Sequence, residues 1–203
     1  MPIPERFLAL GDSFTIGTGT TPDRSFPAWL VSALRERGCD IELSNLAVNG
    51  FTTDDLIRDE LPQLSSFRPT LITMLIGAND IVQVSDADRY RAQLARIYER
   101  VRRDAPTARV LALPQPDWSR SPAAAGFGEP AVLARTIERF NEIAREEAEA
   151  TGATWIDLWP LMREQARRRM VAPDGLHPSA EAYAEWARVL VDRISPTGSG
   201  QAL

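Results

Sequence analysis

Short apolar runs recur along the chain, with longer stretches of helical periodicity between them. The runs Phe7 to Leu10, Ile41 to Ala47, Leu71 to Ile76, Val110 to Leu113 and Trp155 to Leu158 have the length and content of strands. Between the first two, Phe26, Leu30, Ala33 and Leu34 share one helical face, with Ser25 placed to cap its start and Gly38 to end it. After Asp86 the same spacing links Tyr90, Leu94, Ile97 and Val101, and ahead of Gly152 it links Leu133, Ile137, Phe140 and Ala144. From Ser179 onward it links Tyr183, Trp186, Leu190 and Ile194, and a shorter helix is expected over Asp54 to Glu60. Parallel neighbours need a crossover and a helix supplies it, so strands alternating with helices predict a parallel sheet. The expected fold class is α/β, a three-layer α/β/α sandwich around a five-stranded parallel sheet.

At 203 residues the pattern fills a single domain, 1–195, and the polar, unperiodic residues 196–203 read as a flexible tail. Pro114 to Pro130 carries four prolines and is too long for a plain connector, so it is expected to be a lid or substrate loop, or else an ordinary surface crossing.

Composition narrows the function. The 23 basic residues are interleaved with 28 acidic ones for a net charge of -5, which leaves no basic face for nucleic acid. Every basic residue is arginine, so Schiff-base chemistry and P-loop phosphate binding, which need a lysine amine, are excluded. The lone Cys39, beside Gly38, reads as a packing residue. With no charged-then-apolar leader and no apolar run of transmembrane length, the expected location is the cytoplasm. Composition sets no oligomeric state.

The chain has one histidine, His177, in Asp174-Gly175-Leu176-His177-Pro178. Imidazole is the side chain whose unperturbed pKa lies near neutrality, so a hydroxyl nucleophile that needs a base here must use His177. Asp174 can reach one ring nitrogen while the other faces outward; the pair also reads as a structural Asp-turn with a histidine satisfied by backbone. Ser13 ends Gly11-Asp12-Ser13, directly after the first predicted strand. A serine there is ordinarily a turn or cap residue, but Gly11 permits a sharp turn, and the Thr15 to Thr21 stretch with Gly17 and Gly19 would leave the hydroxyl accessible. Gly50 closes Asn45-Leu46-Ala47-Val48-Asn49-Gly50 after the second strand, and Asn79 lies in Gly77-Ala78-Asn79-Asp80 after the third. A backbone N–H and an amide NH₂ are donor types that hold a developing oxyanion, although both segments are also common turn elements. In open parallel sheets ligands bind outside the carboxyl ends of the strands, where Ser13, the Asn45 to Gly50 turn and Asn79 all emerge.

These four segments resemble, in order and spacing, the four sequence blocks of the SGNH hydrolases, the GDSL esterase/lipase family, over residues 11 to 178. The resemblance implies the flavodoxin-like SGNH hydrolase fold and a serine esterase working through an acyl-serine intermediate. It implies Ser13 as nucleophile, His177 as general base and Asp174 as the residue orienting His177. It assigns the oxyanion hole to the N–H of Ser13, the N–H of Gly50 and the side-chain amide of Asn79. It implies no cofactor and a small-molecule ester as partner: a small or medium acyl ester, a lysophospholipid, an acetylated sugar or a thioester. In one departure Phe14 stands where the family usually has leucine, which bears on substrate preference rather than mechanism. Position on the loops nominates Phe14, Phe51, Ile81, Val82 and Trp118 as substrate-binding residues.

Other readings compete. Thr15 to Thr21 could cradle a flavin phosphate in a non-catalytic flavodoxin-like module, which leaves Asp174 and His177 without a purpose. An acyltransferase would use the same triad with an alcohol in place of water. Asp12 and Asp80 could hold magnesium beside Asp174, but no second aspartate sits two residues from Asp12 and the lysine of such phosphatases is absent, so they are expected to pin the loops. Arg167, Arg168 and Arg169 form the one basic run; close in sequence to Asp174 it could attract an anionic substrate, but it reads better as a solvated helix end.

Overall fold

The strand β1 (Glu5–Gly11) carries neighbours on both sides: Phe7 stands opposite Leu43 of β2 (Ile41–Asn45) and opposite Leu71 of β3 (Leu71–Leu75). Beyond β3 lie β4 (Arg109–Ala112) and then β5 (Thr154–Trp155), giving a five-stranded parallel sheet in the order β2-β1-β3-β4-β5. The computed structural model describes residues 5–194, and the tail expected over 196–203 lies outside them. Phe7 to Leu10 are fully buried, which is why β1 is a continuous apolar run instead of an alternating one.

Two pairs of helices cover the sheet. One is α2 (Phe26–Glu36) against α9 (Ala180–Ile194), and the other is α6 (Ala87–Asp104) against α7 (Pro130–Ala150). Trp186 of α9 is fully buried, packs on Phe26 and Tyr183, and donates its indole N–H to Gln165 Oε1 of α8 (Trp159–Arg167) at 2.7 Å. That indole ties three helices together.

The chain steps from β1 to β2 in one direction and from β3 to β4 in the other. The order therefore reverses at β1 and opens a crevice at the carboxyl ends of β1 and β3. Two short helices, α1 (Ser13–Ile16) and α5 (Ala78–Gln83), start at that crevice, and both are too brief to show a period in the sequence.

Several elements differ from expectation. The edge strand β5 has two residues instead of four, because only β4 pairs with it and β4 stops at Ala112. Ser25 does not cap α2; its hydroxyl bonds Pro22 O at 2.9 Å, and Pro27 sits in the first turn instead. The short helix expected over Asp54 to Glu60 is α3 (Thr53–Asp55), which widens into a π-type turn at Leu56–Glu60 and continues through a 3₁₀ turn to α4 (Leu64–Phe67). Pro114 to Pro130 holds two 3₁₀ turns, Trp118–Arg120 and Pro122–Phe127, and its first half is buried. Arg167 ends α8 and pairs with Glu164, while Arg168 pairs with Glu185. Cys39 is half-buried against the core.

Candidate active site

The nucleophile candidate is set by a close approach of backbones. At Gly11, where φ is 151°, a Cβ would fall 2.1 Å from the carbonyl oxygen of Leu75, so only glycine lets β1 turn this tightly beside β3. Asp12 then caps α1, its Oδ1 accepting the Phe14 N–H at 3.0 Å, and Ser13 becomes the first helical residue, nearly buried but opening on the crevice. Asn45 Nδ2 donates to Thr15 O at 3.1 Å and Thr15 Oγ1 to Leu75 O at 3.3 Å, which fastens this helical turn to the ends of β2 and β3.

The histidine sits on a closed turn. Val171 and Pro178 form an antiparallel bridge, and Ala172 N–H donates to His177 O at 2.7 Å, so residues 173–176 make a loop with fixed ends. Inside it one oxygen of Asp174 accepts the N–H groups of Leu176 (2.9 Å) and His177 (3.0 Å), and the other lies 2.8 Å from His177 Nδ1. The structural Asp-turn and the orienting carboxylate are thus one side chain. Burial pushes the Asp174 carboxyl up, but the donors from Leu176 and His177 outweigh it and hold it below the usual carboxylate range. A carboxylate at Nδ1 selects the tautomer with its proton there and a lone pair on Nε2. Phe14 packs its ring 5.5 Å from the imidazole.

Between α5 and the loop after β2 the donors are locked in place. Asn79 Nδ2 donates to Phe51 O at 2.9 Å; since an amide carries two protons, one remains for the crevice. Asp80 accepts the backbone N–H (3.0 Å) and hydroxyl (2.5 Å) of Thr53, and Gln83 Nε2 reaches Gly50 O at 3.2 Å. Gly50 has φ of 88° with open space where a Cβ would lie, so backbone conformation and not crowding calls for glycine.

These elements border a cleft of about 240 Å³ lined by Ser13, Phe14, Asn49, Ala78, Asn79, Val82, Trp118, Phe127, Leu176 and His177. Phe14, Val82 and Trp118 therefore lie where the sequence placed them. Two expectations are corrected. Ile81 is buried in the core and does not line the cleft, and Phe51 packs against the core, its carbonyl accepting from Asn79. Asn49, Ala78, Phe127 and Leu176 were not foreseen; the one available signal was their adjacency to the motif residues, or for Phe127 an aromatic in the proline-rich loop. The Thr15 to Thr21 stretch serves as a buttress: a Cβ on Gly19 would meet Ala172 Cβ at 2.6 Å and Asp174 Oδ2 at 3.0 Å, so this glycine lies directly under the histidine loop.

The sequence profile of the GDSL-like lipase/acylhydrolase family matches residues 9–185. The chain belongs to that family. Its enzyme class is carboxylic ester hydrolase. Among the relatives of this GDSL-like chain is an arylesterase of Vibrio mimicus, 26% identical over 181 residues that cover 88% of this chain and 82% of the relative. Among solved structures, TesA is 22% identical with a TM-score of 0.76 over 95% of this chain and 99% of its own. The psychrotrophic esterase EstA from Pseudoalteromonas sp. is 19% identical with a TM-score of 0.74 over 94% and 96% of the two chains.

Beneath the cleft of this GDSL-like hydrolase lie carboxyls that its fold removes from water. Burial pushes Asp12 up to about 7, helped by the nearby Asp80 charge and opposed by the Phe14 N–H. Burial likewise raises Asp80. Glu60, which the sequence did not single out, ends the π-type turn under β1 and accepts the Gly11 N–H at 2.9 Å with Oε2, leaving Oε1 buried without a partner among the described residues. Burial, with the charges of Asp12 and Asp59, pushes Glu60 up to about 9 against the pull of that N–H. No helix among the described residues is long and apolar enough to cross a membrane.

Proposed function

We propose that this GDSL-like hydrolase works as a serine esterase with Ser13 as nucleophile, His177 as general base and acid, and Asp174 as the residue orienting His177. The observation that carries the reading is the 2.8 Å contact of Asp174 with His177 Nδ1, on a loop that shares one cleft with Ser13 and Asn79. His177 Nε2 takes the Ser13 proton as Oγ attacks the ester carbonyl, and the tetrahedral oxyanion is held by the N–H groups of Ser13 and Gly50 and the free amide proton of Asn79. The C–O bond to the alcohol breaks as His177 returns the proton to it. Water then repeats the cycle on the acyl-serine and releases the acid.

Among the described residues the cleft lining contains no arginine, aspartate or glutamate, and most of it is apolar, which supports an uncharged ester as substrate. An alcohol acceptor would enter by the same path as water. The test is hydrolysis of a p-nitrophenyl ester series, acetate to palmitate, by wild type and Ser13→Ala. Activity should fall to the residual level that an oxyanion site alone supports, a loss on the order of 10⁴ or more in kcat. Wild-type rates in Ser13→Ala would sink the assignment.

A further inference from the structure

Trp118 lines two spaces at once. On one side it faces the catalytic cleft; on the other it borders a separate cavity of about 30 Å³, whose apolar wall includes Met162, Met170, Val171 and Trp186. Leu176, immediately before His177, also lines both, so these two side chains form the partition. The inner cavity is about the size of one water molecule. The partition is fixed in place: Trp118 is 5% exposed, opens a 3₁₀ turn, and meets Phe127 edge-on at 5.6 Å. The turn is anchored by Ser121 Oγ on Trp118 O at 2.7 Å, and the loop is bonded to the histidine turn through Ala123 N–H and Gly175 O at 3.0 Å. The indole Nε1 is buried and has no partner among the described residues.

We propose that Trp118 is a specificity-determining residue: it ends the cleft short of the inner cavity and restricts this esterase to esters with a compact group on that side, such as acetyl, butyryl or a single aromatic ring. The inference rests on the esterase reading above. A longer chain would have to displace the indole or lie in solvent at the mouth, and neither returns the transfer energy of a buried methylene. Without the ring, the cleft and the inner cavity become one channel running toward Met162, apolar along Met162, Met170 and Val171 and bordered by Asp117, Arg120 and Arg169.

The test uses two ester series on the intact protein: p-nitrophenyl esters of lengthening acyl chain, and acetate esters of lengthening alcohol. In wild type, kcat/KM should peak at short groups in the series that faces Trp118. In Trp118→Ala the peak should move by about two to four carbons, with a gain of about fourfold per newly buried methylene. Trp118→Phe keeps an aromatic wall, so the position of its length peak should stay with that of wild type whatever its overall rate. Trp118→Leu lowers the wall without emptying it and serves if Trp118→Ala does not fold, as judged by circular dichroism. A shift in either series supports the proposal and identifies which ester group faces the wall. Equal losses at every length, or an unchanged peak in a folded variant, overturn it. Failure of the esterase reading is told apart by Ser13→Ala, which would then keep its activity on the short esters.

Discussion

Single residues here carry more than one duty. Asp174 shapes its turn with one oxygen and holds the imidazole with the other, so replacing it disturbs both the loop and the orientation of His177. Asn79 is simpler: one amide proton is tied to Phe51 O and the second is available to an oxyanion. Asn79→Ala should therefore lower kcat by about 10²–10³ with KM nearly unchanged, because the lost donor acts mainly on the transition state. Steady-state kinetics on p-nitrophenyl acetate decide it, and a loss confined to KM would remove Asn79 from the oxyanion hole. That Ser13, Asn79 and His177 share one cleft, with Asp174 bonded to the imidazole, was legible in the sequence because each proposed role demands a particular residue type inside a short motif. Gly19 was seen as part of an open loop or a phosphate cradle and not as a support of the histidine turn, since its closeness to Asp174 comes from a contact across more than 150 residues.

At the scale of elements, the π-type turn at Leu56–Glu60 matters most for the site. The sequence reading expects a short helix there, and no sequence signal marks the widening that brings Glu60 under Gly11. The Glu60 carboxyl is pushed from 4.5 to about 9, so the folded protein binds this proton more tightly than the unfolded chain does. Its contribution is complete below about pH 4.5 and is lost as pH rises toward about 9. Glu60→Gln keeps an acceptor for the Gly11 N–H but cannot ionise. It should match wild type near pH 4.5 and become more stable at pH 8, by on the order of 1 kcal/mol or more. Urea midpoints at both pH values provide the check; a pH-independent difference would show that Glu60 is not buried as a neutral acid. The short α1 and α5 escaped the sequence reading for a related reason: one or two turns do not establish a period, and it is the crevice at β1 and β3 that makes them helical.

For the molecule as a whole, the helix faces and the switch in strand order must be joined, and Trp186 is the joint. It contacts Phe26 of α2, Tyr183 of its own helix and Gln165 of α8, and α9 follows directly from the turn that carries His177. Trp186→Ala should destabilise by about 3–5 kcal/mol, as expected for emptying a buried aromatic site, and should lower the temperature at which esterase activity is lost. Matching thermal curves for the variant and wild type would mean that the core refills around the gap. The sequence by itself determined the alternation of strands and helices, the parallel sheet, the reaction class and the four motif segments, because burial periodicity and catalytic residue types are local properties. Tertiary structure alone decided the depth and walls of the cleft, the inward turn of Ile81, the partition at Trp118 and the buried Glu60. Each of these depends on which distant side chains fill the space beside a residue, and that is set by how the helices pack on the sheet.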